Sequence, residues 1–194
     1  PYFGETETQI IVSSNGWLNF GSWSGSSFFN TLENLINNRR ICPMWDDLRT
    51  DIGAADIYID ESVPGQVTIR WDTVTYSGQN PCEHSCTLFE DGRMRFNYGP
   101  GNTPITPTIG ISAGNGVDYL VSTYDGSGNL NSADTVDQLP VVPLPIGMSL
   151  STAGELSGTP MELGTFNPQI QVTDALGRAD VRQFELTITD DVPC

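Results

Sequence analysis

Residues 42–60 read CPMWDDLRTDIGAADIYID. An apolar run ending in Trp45 meets Asp46 and Asp47 with no spacer, Asp51 and Asp56 follow in a glycine-containing loop, and the stretch closes on the alternating IYID. Such alternation marks a half-buried strand. Strand signals recur at short intervals on both sides, so the acidic loop reads as one corner of an antiparallel β scaffold. Its chemistry is that of hard oxygen ligands beside no nucleophile.

Upstream, YFGETETQIIV is followed by SSNG and WLNFGSW. Asn15-Gly16 between two apolar runs is the strongest short hairpin signal in the chain. Residues 24–38 are rich in Ser and then carry helix-like spacing at Leu32, Leu35 and Ile36, which predicts a short helix or turn. Downstream, QVTIRWDTVTY, SCTLFEDGRMRFNYG and PTIGISAG read as successive strands. LFEDGRMRF predicts a tight hairpin with Asp91-Gly92 at its tip, its register helped by pairing Glu90 across to Arg93 or Arg95. Four or five antiparallel strands with one apolar face need a second sheet to cover them, so the expected fold is all-β, an antiparallel sandwich.

Residues 125–138 lose apolar content and read as a polar linker or long surface loop. Short strands then resume over 139–194, about four in number, fewer than a complete immunoglobulin-like sandwich needs. The expected organisation is a β-sandwich over residues 1–124, the linker, and a smaller incomplete sandwich over 139–194. Four strands leave an open edge and a half-covered face. Residues 139–190 are therefore expected to pack on the first domain or to borrow strands from another chain.

Composition narrows the function classes. A chain of 194 residues is long enough to bury a real core, and its formal net charge is −16, with eight basic residues that are all Arg. Such a field repels phosphate backbones and anionic head groups, which argues against nucleic acid and against direct membrane insertion, and it favours divalent cations. Abundant Gly, Pro, Ser, Thr and Asn with β-branched and aromatic apolar residues fit a secreted β module. The chain opens at Pro1 without a Met, which reads as a processed or excised piece of a longer protein. Any signal peptide or anchor is expected outside it.

Cys42, Cys82, Cys86 and Cys194 permit three pairings if all are oxidised, and at least one disulfide is expected. Cys82 and Cys86 could close on each other only if Glu83-His84-Ser85 turned back sharply. The alternative is a zinc site on Cys82, His84 and Cys86, although that spacing matches no common structural zinc motif.

SSNGWLNFG, CPMWDDLRTDIG with IYID, VTIRWDTVTY, LFEDGRMRFNYG and TIGISAGNGVDYL, taken in that order, resemble the nidogen-type extracellular domain and its bacterial relatives over residues 1–124. The Cys82-Glu-His-Ser-Cys86 insertion departs from the animal members. Residues 144–190, with LPIGMSL, GELSGTP and VTDALG, resemble the C-terminal half of the immunoglobulin-like and dystroglycan-type cadherin-like repeats of bacterial surface proteins. These resemblances imply a non-enzymatic module of adhesion or matrix proteins, located outside the cell or on its surface.

Asp46, Asp47, Asp51 and Asp56 are the candidate calcium ligands, since carboxylates on an irregular loop suit a flexible six- to eight-coordinate ion. The competing reading makes Asp46 or Asp47 a turn cap that accepts backbone N–H bonds. Asp174, Asp190 and Asp191 resemble inter-domain calcium positions of cadherin-like repeats. Trp23 with Tyr76 and Tyr124 is the candidate sugar-stacking surface. His84, the only histidine, sits between two cysteines, and no Gly-x-Ser-x-Gly elbow accompanies it, so hydrolysis is not expected. Acid pairs without an aromatic platform give no glycosidase site. The sequence thus predicts a non-catalytic adhesion or display module that contacts an extracellular protein or a glycan. The alternative is a carbohydrate-binding accessory module of a larger secreted enzyme.

Overall fold

In Gln66–Thr75 the residues Ile69, Trp71, Thr73 and Thr75 are buried while Arg70 and Asp72 between them stay partly in water. This period of two is the pleat of a strand with one face in a core. The computed structural model describes residues 1–22, 28–140, 144–166, 168–173 and 179–190, and the chain divides into two units, residues 1–140 and 141–194.

The first unit begins with β1 (Ile11–Val12), β2 (Leu18–Asn19), helix α1 (Leu32–Ile36), β3 (Arg39–Trp45), β4 (Leu48–Arg49) and β5 (Asp56–Asp60). It continues through β6 (Gln66–Thr75), β7 (Pro81–Phe89), β8 (Met94–Gly101), β9 (Thr108–Ala113), β10 (Tyr119–Val121) and β11 (Val136–Gln138). One sheet runs β1-β2-β3-β9-β10; the other runs β11-β8-β7-β6-β4, with β5 also on β6. Every pairing is antiparallel. Leu18, Ile41, Ile109 and Ile111 from the first sheet meet Ile69, Trp71 and Phe96 from the second in one core. The unit is an antiparallel β-sandwich.

Neighbouring residues on a strand point to opposite faces. Ile41 enters the core between the sheets, whereas Cys42 joins Trp17, Trp45 and Leu35 of α1 in a second cluster on the far side of β3. Arg40 is fully buried, its guanidinium 4.2 Å from the Trp17 ring and 4.7 Å from the Trp45 ring, and its Nε donates to Asn19 Oδ1. The short helix is capped by Thr31, whose hydroxyl accepts from the Asn34 N–H.

The structure corrects three expectations. Residues 125–138 belong to the first unit, as a mostly exposed loop leading into β11 rather than as a linker: Leu130 is buried, and β11 pairs with β8, where Asp137 holds Arg95 at 2.8 Å. The first unit therefore runs to Pro140 instead of ending at 124. In the hairpin, Arg93 pairs with Asp91 at 2.7 Å within the turn and Arg95 with β11, so Glu90 supplies neither cross-strand partner. Cys82 and Cys86 sit in the single strand β7, so Glu83-His84-Ser85 does not turn back. Four residues of strand separate them by about 13 Å, beyond disulfide reach. Cys42, Cys82 and Cys86 are free and buried, and Cys194 lies outside the described residues.

In the second unit, β12 (Met148–Leu150) pairs with β13 (Leu156–Gly158) and β14 (Gly164–Phe166) with β17 (Leu186–Ile188). β15 (Gln169–Thr173) pairs with β16 (Ala179–Gln183), giving six short strands where about four were expected. Leu150 and Leu156 are cross-strand partners and both are exposed, as are Met161 and Leu163. Asp190 is exposed, while Asp174 and Asp191 lie outside the described residues.

The Asn15-Gly16 hairpin tests the packing of the first unit. Gly16 has φ +73°, and a Cβ there would lie 2.2 Å from the Met44 carbonyl oxygen. Gly16→Ala should therefore lower the unfolding free energy by roughly 2–4 kcal/mol, combining left-handed strain with a backbone clash. Gly53, at φ +64° in open space, should cost only about 1 kcal/mol on the same change. Urea titration of both variants measures the difference.

Candidate functional site

The chain leaves the first sheet at the end of β3 and enters the second at β4, so Asp46 and Asp47 form the corner where it changes sheets. A corner has no ladder to absorb its amides, and buried peptide groups need partners. They are found locally. Asp46 Oδ1 accepts from the Asp47 N–H at 2.7 Å, and Asp46 Oδ2 accepts from the Thr106 N–H at 2.7 Å. Asn15 serves the same corner from the hairpin turn: its carbonyl accepts from the Asp46 N–H at 3.2 Å and its Oδ1 accepts from the Leu48 N–H at 2.9 Å. The Asp47 carbonyl accepts from the Tyr76 N–H at 2.7 Å.

The other candidate acids go elsewhere. Asp51 forms a two-pronged pair with Arg49 at 2.6 and 2.7 Å, which lowers its carboxyl below the usual range. Asp56 Oδ1 accepts from the Ile57 N–H at 2.8 Å. Desolvation, with the Asp46 charge second, raises Asp47. Among the described residues, no three His, Cys, Asp or Glu gather into a site that could hold a metal ion. Asp46, Asp47, Asp51 and Asp56 do not converge as one ligand set.

The aromatic candidates are likewise dispersed in role. Tyr124 is partly buried and packs edge-on against Tyr98 at 5.9 Å, as part of the core. Tyr76 is 59% exposed, with the Arg49 guanidinium 4.9 Å from its ring. Trp23 lies outside the described residues.

Cys82, His84 and Cys86 share the buried face of β7, as their i, i+2, i+4 spacing requires. Burial raises the Cys82 thiol to about 12 and pushes Cys86 higher still. His84 stacks on its cross-strand partner Trp71 at 4.8 Å with 6° between the planes. Among the described residues neither ring nitrogen finds a hydrogen-bond partner, and burial lowers its pKa from 6.5 to about 3. This is a sealed, neutral imidazole among protonated thiols, a packing group of the core.

One concavity in the first unit has no signal in the sequence. A cleft of about 770 Å³ opens between residues 6–12 beside the first sheet and strands β5 to β8 of the second. Val12, Phe20, Ile69 and Leu88 line it, and Glu7, Glu61 and Glu90 carry its acidic groups. Glu7 is held by Arg39 at 2.8 Å. Alternation in IYID foretells the strand but not that Ile59 borders an unfilled space. No helix among the described residues is long and apolar enough to cross a membrane.

A family model described as NIDO related matches residues 1–144. No curated protein and no solved structure matches the chain.

Two measurements test the corner and the sealed imidazole. Asp46→Ala removes acceptors from two amides and should lower stability by about 1–3 kcal/mol, by the same amount in calcium and in chelator. For His84 the folded pKa lies below the unfolded one, so the unfolded chain binds the extra proton. Its contribution is complete above pH 6.5 and is lost as pH falls toward 3, at about 1.4 kcal/mol per pH unit. In acid titrations of stability, His84→Leu should flatten that limb relative to the parent chain.

Proposed function

The chain belongs to the NIDO-related family, and on that footing we propose that it is a non-catalytic contact module of a secreted or cell-surface protein, working outside the cell in adhesion or display. The observation that carries the reading is the family match over residues 1–144, nearly coincident with the first structural unit. The chemistry of the site agrees with it. Asp46 serves as acceptor for two amides at a sheet-crossing corner, Asp51 is taken by Arg49, and the one histidine is stacked and sealed rather than set beside a reacting hydroxyl. What the molecule offers a partner is surface.

The second unit fits the same work. It resembles part of an immunoglobulin-like or cadherin-like repeat, and its exposed Leu150, Leu156, Met161 and Leu163 are apolar positions that strands from another chain would cover. Tyr76, exposed beside Arg49, favours a second reading, a carbohydrate-binding accessory module of a larger secreted enzyme. Beads coated with the chain and incubated with cells separate the two. Adhesion that survives periodate oxidation of surface glycans but is abolished by mild protease treatment supports the adhesion reading. Loss on periodate, and on Tyr76→Ala, supports the accessory-module reading; beads that adhere to neither preparation speak against both.

A further inference from the structure

We propose that the cleft at the open seam of the first unit binds an extended segment of a partner protein, apolar at alternate positions and carrying Lys or Arg at the end that meets Glu61 and Glu90. The inference names the partner class of the contact module and rests on that reading. Its starting point is Ile59. Ile57 packs against the core between the sheets, and two residues along a strand share a face, so Ile59 points the same way. Yet Ile59 is 62% exposed and lines the cleft. An inward-facing isoleucine left in water marks a place in the sandwich that the chain itself does not fill.

The backbone agrees with the side chain. Among the described residues β5 is an edge strand, paired with β6 alone. The Ile57 N–H is taken by the Asp56 carboxylate instead of by β6. In an antiparallel ladder the peptide groups alternate in direction, so Ile59 also turns its N–H and C=O away from β6, toward the free edge. An added strand could therefore bond to Ile59 while alternate side chains entered the cleft over Ile69 and Leu88, the geometry of strand addition. The cleft volume of about 770 Å³ holds several apolar side chains.

Charge selects the occupant. Glu61 and Glu90 line the cleft, and neither pairs with a cation among the described residues. Arg93 also lines the cleft, but its guanidinium is engaged by Asp91 at 2.7 Å. A second copy of this chain, at −16 and with no Lys, is a poor partner for that rim, and a basic segment is a good one.

The test is fluorescence anisotropy of a labelled, capped heptapeptide alternating Val and Lys, titrated with the full chain at about 0.15 M salt. Saturable binding is expected for the parent chain, weakened about tenfold or more by Ile59→Asp and by the double change Glu61→Lys with Glu90→Lys. Glu33→Lys on α1, outside the cleft, should leave it unchanged. Circular dichroism melts confirm that each variant folds. The proposal is overturned by absence of saturable binding, by equal binding to the Ile59→Asp chain, or by an equal loss in Glu33→Lys, which would reveal only attraction to an acidic surface. Equal affinity for the Val-Glu counterpart overturns it too. If the peptide fails while coated beads still adhere to cells, the cleft assignment falls and the contact-module reading stands.

Discussion

The first unit depends on the contact between the Asn15-Gly16 turn and the corner at Asp46. Where β3 hands over to β4 the chain must leave one sheet and enter the other, and every amide it exposes there needs an acceptor. Asn15 supplies two from a hairpin more than thirty residues away, Asp46 supplies two from its own side chain, and the Trp71 indole donates to Ser13 in the same turn at 2.7 Å. The approach is close enough that only glycine fits at position 16. One turn thus fixes where the two sheets begin to face each other.

That constraint explains the character of the residues beneath it. Trp71, held by its indole N–H, presents a flat ring on which His84 stacks, and a Cβ at Gly16 would lie 3.0 Å from His84 Nε2. The imidazole occupies a slot shaped by the turn and stays neutral because burial disfavours its charged form. On the outer face of the same sheet, polar residues settle among themselves: Thr68 with Thr87, Arg70 with Glu83, Arg95 with Asp137. The contrast between these faces follows from period-two alternation in β6, β7 and β8.

Local signals were readable in the sequence, and non-local ones were not. Asn15-Gly16 announces a hairpin because the turn chemistry is contained in the two residues. The common face of Cys82, His84 and Cys86 follows from their spacing once β7 is known to be a strand, but a motif written C-x-H-x-C does not tell that among the described residues they form no metal-holding group. The acidic loop shows oxygen ligands without showing that Thr106, sixty residues on, takes one of them. β11 was hidden by its composition. Residues 125–138 are polar enough to pass for a linker, yet Leu130, Leu139 and the Arg95–Asp137 pair tie them to the sandwich.

The seam raises a physical question, since an edge strand with an exposed isoleucine invites association with any similar edge. Net charge alone gives limited protection, because salt screens separated charges beyond about 8 Å. Protection must therefore come from groups at the edge itself. Asp56 and Asp60 stand at the two ends of β5, with their carboxylates on the Ile57 and Ser62 amides, and Glu61 follows directly. Two copies meeting edge to edge would bring these acids within that distance and repel. A basic segment meets the same groups as attraction. The acids that frame Ile59 thus discourage self-pairing and favour an oppositely charged strand by one local mechanism, which is how an open edge can persist without pairing to its own copy.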